Sequence, residues 1–244
     1  MKFDLLLQLG LDIPFAEAQV EVRQPSLTEI AMIDESTVYN ACFLINFSKD
    51  NLSEEDRIGL EDKTNFEIFM SIMCSKEAIK TRNEVLMLLA LLFPSYNIDI
   101  NTDKIVLTHN KNGRICCIDY KNYDAFKNII IKIFCLDEVK SNLSTYNPAD
   151  ERARRIAEKL SKNKAKTDKD KKGMGSIFSY YISVLSVGLQ KDKNSFKNYT
   201  VYQLLDEFQR FQAKLAYDSY ADARMAGCEN LDEVDHWMKD NIHS

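Results

Sequence analysis

The sequence predicts an α+β protein, mainly α-helical, with a small antiparallel sheet built around a hairpin and a helical unit at the C-terminal end. Three observations carry this. Apolar residues recur at helical spacing over most of the 244 residues. Only 7 Gly and 4 Pro occur, too few for the many tight turns of a sandwich or barrel. One stretch, 98–120, alternates with period two around Asn112-Gly113. The expected organisation is an N-terminal α+β domain over 1–138, a polar, lysine-rich linker containing a helix over 139–175, and a C-terminal helical unit over 176–244.

Taken in order, Ala18 to Arg23 alternates and reads as a strand closed by Pro25. Ser26 and Glu29 have the spacing at which a hydroxyl and a carboxylate satisfy each other's free backbone N–H groups, so a helix should start there. Ile30, Ile33, Val38, Cys42 and Ile45 suit one or two helices through Phe47. After an acidic loop over 49–62, Thr64 to Cys74 and Lys76 to Phe93 look helical, the second apolar enough to be buried on most sides and stopped by Pro94. Ile98 to Ile100, Lys104 to Leu107 and Arg114 to Tyr120 are strands, and Tyr123 to Leu136 is an amphipathic helix.

In the C-terminal part, Asn147-Pro148 opens a helix running to about Lys162. The lysine-rich stretch to Lys172 has no apolar stripe and reads as a link. Ser176 to Leu189 is apolar nearly all round yet far shorter than the roughly 18 to 20 residues a membrane span needs. It must therefore be enclosed by other helices or by a partner. Thr200 to Ala226 is a long helix, and Leu231 to Asn241 a short terminal one.

Composition narrows the function. A net charge of −5 disfavours a general nucleic-acid binder, and no signal sequence or membrane segment is expected. Six Cys without a Cys-x-x-Cys pair suggest reduced, buried thiols and a cytosolic protein. Only three His occur, and no phosphate loop, dinucleotide fingerprint or nucleophile motif is present, so no enzyme, catalytic residue, metal or cofactor is expected. The acidic pairs (Asp218 with Asp222; Asp232, Glu233 and Asp235) read as a solvated helix face and a helix start.

The candidate partner-binding residues are Phe208 and Phe211 on the long helix with Trp237 and Met238 near the end, Trp being enriched at interface hot spots. The other reading of each is a core residue. Lys162, Lys164, Lys166, Lys169, Lys171 and Lys172 are the candidate phosphate contacts. Two aspartates interrupt them and no aromatic residue is interleaved to stack on bases, so a solvated linker is preferred.

The run Thr200-Val-Tyr-Gln-Leu-Leu-Asp-Glu-Phe-Gln-Arg-Phe-Gln-Ala-Lys214, with Ala226-Gly227 and His236-Trp237-Met238-Lys239-Asp240, resembles the end of a group of tailed-phage proteins of low-GC Gram-positive bacteria. Pro25 to Ile33, Phe66-Glu-Ile-Phe69 and Tyr146-Asn-Pro-Ala149 fit the same resemblance. It implies tail or baseplate morphogenesis, as a tail assembly chaperone or a baseplate hub assembly protein. The implied partner is a phage structural protein, the tape-measure or the baseplate hub, with self-association as a further option. The implied place is the host cytoplasm or the virion. The alternatives are a structural component of the baseplate or tail, and a weak, non-specific nucleic-acid-binding accessory protein. The resemblance transfers no catalytic residue.

Overall fold

The computed structural model describes residues 3–49, 62–136, 176–228 and 234–238. Within them the helices are α1 (Phe3–Leu9), α2 (Leu27–Ile33), α3 (Glu35–Ile45), α4 (Asn65–Cys74), α5 (Ile79–Leu92), α6 (Tyr123–Ile133), α7 (Ile177–Gly188) and α8 (Val201–Met225). A 3-10 turn, Lys193–Phe196, joins α7 to α8. Strands β1 (Ile13–Phe15) and β2 (Val20–Val22) form one antiparallel pair. Strands β3 (Tyr96–Ile100), β4 (Ile105–His109) and β5 (Ile115–Ile118) form an antiparallel sheet in the order β3-β4-β5. The protein is thus α+β and mainly helical, as the sequence predicts. Among the described residues no helix is long and apolar enough to cross a membrane.

Several helix starts are set by side chains. Ser26 and Glu29 form the expected capping box, the carboxylate accepting from Ser26 N at 2.9 Å. Thr64 with Glu67, and Thr200 with Gln203, do the same for α4 and α8. Each box satisfies amide groups that the first helical turn leaves open. The break between α2 and α3 falls at Asp34, whose φ of 114° ends one helix while its carboxylate caps the next by accepting from Thr37 N. In the β4–β5 hairpin Gly113 sits at φ 66°, a conformation that glycine adopts without steric cost.

The core is one cluster. Phe126 of α6 stacks between Phe15 of β1 (5.9 Å) and Phe93 after α5 (6.0 Å), all three essentially without solvent exposure. Tyr123 links three helices: its ring lies 4.9 Å from Phe66 and 5.3 Å from Phe69, and its hydroxyl donates to Ile45 O at 2.8 Å. Burial, with a smaller push from Asp124, drives its phenol well above the usual range. Helix α5 packs along α3 and is buried on one side only; Val85, Leu88, Leu89 and Leu92 face inward while Met87 is half exposed. The expectation that it is buried on most sides is corrected, because nothing in the fold requires its outer face.

Residues after position 176 join this same cluster, through Phe178, Leu185, Phe196, Val201, Leu204 and Phe208. The join is also hydrogen-bonded. Ser26 and Thr200 form an isolated antiparallel bridge, Leu27 N donates to Tyr199 O at 2.8 Å, and Thr28 N and Oγ1 both donate to Lys197 O. Gln203 closes the cap of α8 with its amide oxygen and donates its amide nitrogen to Gln8 O at 2.7 Å. The expected linker, 139–175, lies outside the described residues.

Candidate partner-docking surface

Helix α7 carries no charged residue, and its apolar side chains divide between two faces. Phe178 and Leu185 point into the core, where Phe178 meets Tyr39 of α3 at 6.0 Å. Ile177, Tyr180 and Val187 are 45%, 61% and 79% exposed. Of the enclosure expected for the whole segment, by other helices or by a partner, the chain itself supplies one face. The core takes one face of the helix, and the other faces solvent.

Helix α8 divides along its length. Val201, Tyr202, Leu204 and Phe208 are buried, whereas no residue from 209 to 225 is. At 1.5 Å per residue that distal part is about 25 Å long. It carries Leu215 and Met225, 48% and 80% exposed. Its charged side chains pair along the helix, Arg210 with Asp206 at 3.1 Å and Lys214 with Asp218 at 2.6 Å. Such i,i+4 pairs support a helix that packing does not. They also account for Asp218 as a solvated, paired carboxylate.

The predicted partner-binding residues are not brought into one patch. Phe208 is 7% exposed, with its ring 4.2 Å from Tyr181. It packs in the core, where it holds α7 to α8, the other reading that the sequence leaves open. Phe211 is half-buried against α7 at Gly188, where an added Cβ would lie 2.1 Å from its ring. Trp237 is half-buried and stacks on His236 at 5.9 Å, and His236 meets Tyr217 of distal α8 edge-on at 4.5 Å. Met238 is 68% exposed. Residues 234–238 form no helix, and the rest of the expected terminal helix lies outside the described residues. So do Lys162, Lys164, Lys166, Lys169, Lys171 and Lys172.

Distal α8 exposes Leu215 and Met225, and the tail that meets it at Tyr217 exposes Met238. Met225 and Leu215 carry no sequence signal of exposure. Leu215 continues the same apolar stripe as Phe208, and only the end of the body beneath the helix separates their fates.

At the foot of α8 the Lys191 ammonium lies against the Glu207 carboxylate and 3.3 Å from the Tyr199 hydroxyl. Hydrogen bonding to Glu207 raises the lysine above its ordinary value, partial burial opposing. Elsewhere a cleft of about 520 Å³ lies between the β1–β2 turn and the start of β3 and includes Arg23, His109 and Arg114. These groups have local partners: Arg23 pairs with Glu29, Arg114 donates to Gln19 at 2.7 Å, and His109 Nδ1 accepts from Lys111 N at 3.2 Å. Among the described residues no three His, Cys, Asp or Glu side chains are grouped to hold a metal. No protein-family model, curated protein or solved structure matches the chain.

Proposed function

We propose that the protein is a non-enzymatic tail or baseplate assembly factor that binds another structural protein of a phage particle. The observation that carries the docking role is the distal part of α8. A helix that leaves its own core while displaying Leu215 and Met225, with Met238 exposed on the tail tied to it, is a surface built to be covered by something else. Methionine suits that task, since its unbranched, polarisable side chain adapts to the shape it meets. The assignment to phage morphogenesis rests on the resemblance at Thr200 to Lys214 and His236 to Asp240.

On this reading the docked base of the C-terminal unit is an anchor, and distal α8 shields an apolar segment of the partner until assembly. Co-expression with the tape-measure and hub proteins, followed by pull-down, tests it. A stable complex with one of them, lost in the double variant Leu215→Ser/Met225→Ser, is expected. No complex with either protein overturns the reading. Mass spectrometry of purified particles then separates a chaperone, absent or substoichiometric, from a permanent component.

A further inference from the structure

The two edges of the β3-β4-β5 sheet are finished differently. At the ends of the β3–β4 ladder Asn110 N donates to Ser95 O at 2.9 Å and Asn101 N to Lys104 O at 3.0 Å. Antiparallel pairs alternate between bonded and non-bonded, so in this register Asn97 and Asp99 also bond to β4. The peptide groups of Tyr96, Ile98 and Ile100 therefore point away from the sheet. Tyr96 N turns back to Phe93 O at 3.0 Å. Among the described residues, Tyr96 O and the N–H and C=O of Ile98 and Ile100 meet no partner. The β5 edge is closed at its end, where the buried Asn122 side chain donates to Cys117 O at 3.0 Å and accepts from Asp119 N at 2.9 Å. Strand β3 has neither the proline, the lysine nor the bulge that guards an edge.

We propose that the β3 edge takes up an extended segment of another protein as a fourth strand, one in which apolar residues alternate with lysine or arginine. The open groups recur every second residue, the repeat of a strand; a helix has no backbone groups free to answer them. On the core side Tyr96, Ile98 and Ile100 pack against the core yet stay half-buried, because no strand lies beyond them. Apolar residues at alternate positions of the incoming segment would complete that cover. On the outer side Asn97 and Asp99 are exposed, and Asp99 stands opposite the apolar Val106, so β4 gives it no counter-charge. A cationic side chain beside Asp99 supplies one. A second copy fits less well. Self-pairing about Ile98 would set the two Asp99 carboxylates diagonally on one face with no cation between them.

This edge is separate from distal α8, and its test needs neither the tape-measure nor the hub protein. The probe is a fluorescein-labelled heptapeptide of alternating Lys and Val, titrated against the full chain and read by anisotropy. Saturable binding with a Kd below about 1 mM is expected. Hydrogen exchange followed residue by residue should slow at Ile98 and Ile100, and stay unchanged at Asn97 and Asp99, which already bond to β4. Ile98→Pro removes an N–H that faces away from β4, so it breaks no bond of the sheet and should weaken binding at least about tenfold. The same change on the other edge, Ile115→Pro, should leave binding unaltered. Asp99→Lys, at an exposed position, should reverse the preference towards a heptapeptide of alternating Glu and Val.

No saturable binding of the Lys-Val peptide overturns the inference. So does binding that both Ile98→Pro and Asp99→Lys leave intact, or protection that appears at Ile115 and Cys117 instead. Self-association of the chain that Ile98→Pro abolishes, without peptide binding, would give the edge to a second copy. Leu215→Ser/Met225→Ser should bind the peptide as the parent does, so this edge and the distal α8 surface fail separately.

Discussion

The two parts of α8 share one helix and one apolar stripe, yet they live in different surroundings. From Val201 to Phe208 the stripe is sealed against the body; from 209 to 225 it has no buried member. Burying a large apolar side chain contributes about 1.5–3 kcal/mol, so the proximal part is held by the core. The distal part is held by continuity with it and by pairs such as Lys214–Asp218. The difference teaches that a helix can serve as anchor and as display surface at once, provided that the body beneath it ends partway along.

The sharpest way to break this comparison is one truncation in each part. Leu204→Ala, at a position with no exposure, should lose roughly 2–5 kcal/mol in urea unfolding. Leu215→Ala should stay within about 0.5 kcal/mol of the parent. Equal losses at the two sites would show that distal α8 is also sealed within the monomer.

Gly188→Ala probes the seam between the parts, where the new methyl group would meet the Phe211 ring at 2.1 Å. It should cost about 1–3 kcal/mol by overpacking. Most of that should return in Gly188→Ala/Phe211→Leu, read by the same unfolding midpoint. Thr200→Ala removes the hydroxyl that accepts from Gln203 N at 3.2 Å. The expected loss is about 1 kcal/mol. Because the cap sits at the anchored end, hydrogen exchange should quicken first in the proximal turns.

The smallest expected effect is a pH dependence. Partial burial pushes the Glu29 carboxyl up, but the Arg23 guanidinium, with Ser26 N–H and hydroxyl, outweighs it and holds the group below its ordinary value. A carboxyl depressed in the folded state stabilises above its unfolded value and loses that contribution as pH falls through the folded one. Glu29→Gln should therefore be less stable than the parent at about pH 7, with the gap closing towards about pH 3. A gap that widens on acidification would contradict the pairing.

Much of the fold was legible. Ser26–Glu29 announces α2, Pro94 stops α5, and Asn112-Gly113 marks the β4–β5 hairpin. Strand β1 was not legible, because three residues containing Pro14 give no period. Its turn into β2 also uses Gln19 at φ 55° where a glycine would have been a signal. Asp34 hid the α2–α3 junction in the same way, by taking a positive φ that its residue type rarely adopts. The docking surface was the least legible. Periodicity assigns Phe208 and Leu215 to one stripe and cannot say where the supporting layer stops. The all-apolar α7 likewise gives no sign of which face the core will take.

The bond from Thr28 to Lys197 closes a separation of 169 residues, and that from Gln203 to Gln8 one of 195. Contacts this distant in sequence must pay for loop closure before they return anything, which delays them on the folding pathway. The body up to α6 should therefore form first and serve as the template onto which α7 and α8 condense. During synthesis, the ribosome would release a pre-formed cradle before the helices that fill it had emerged.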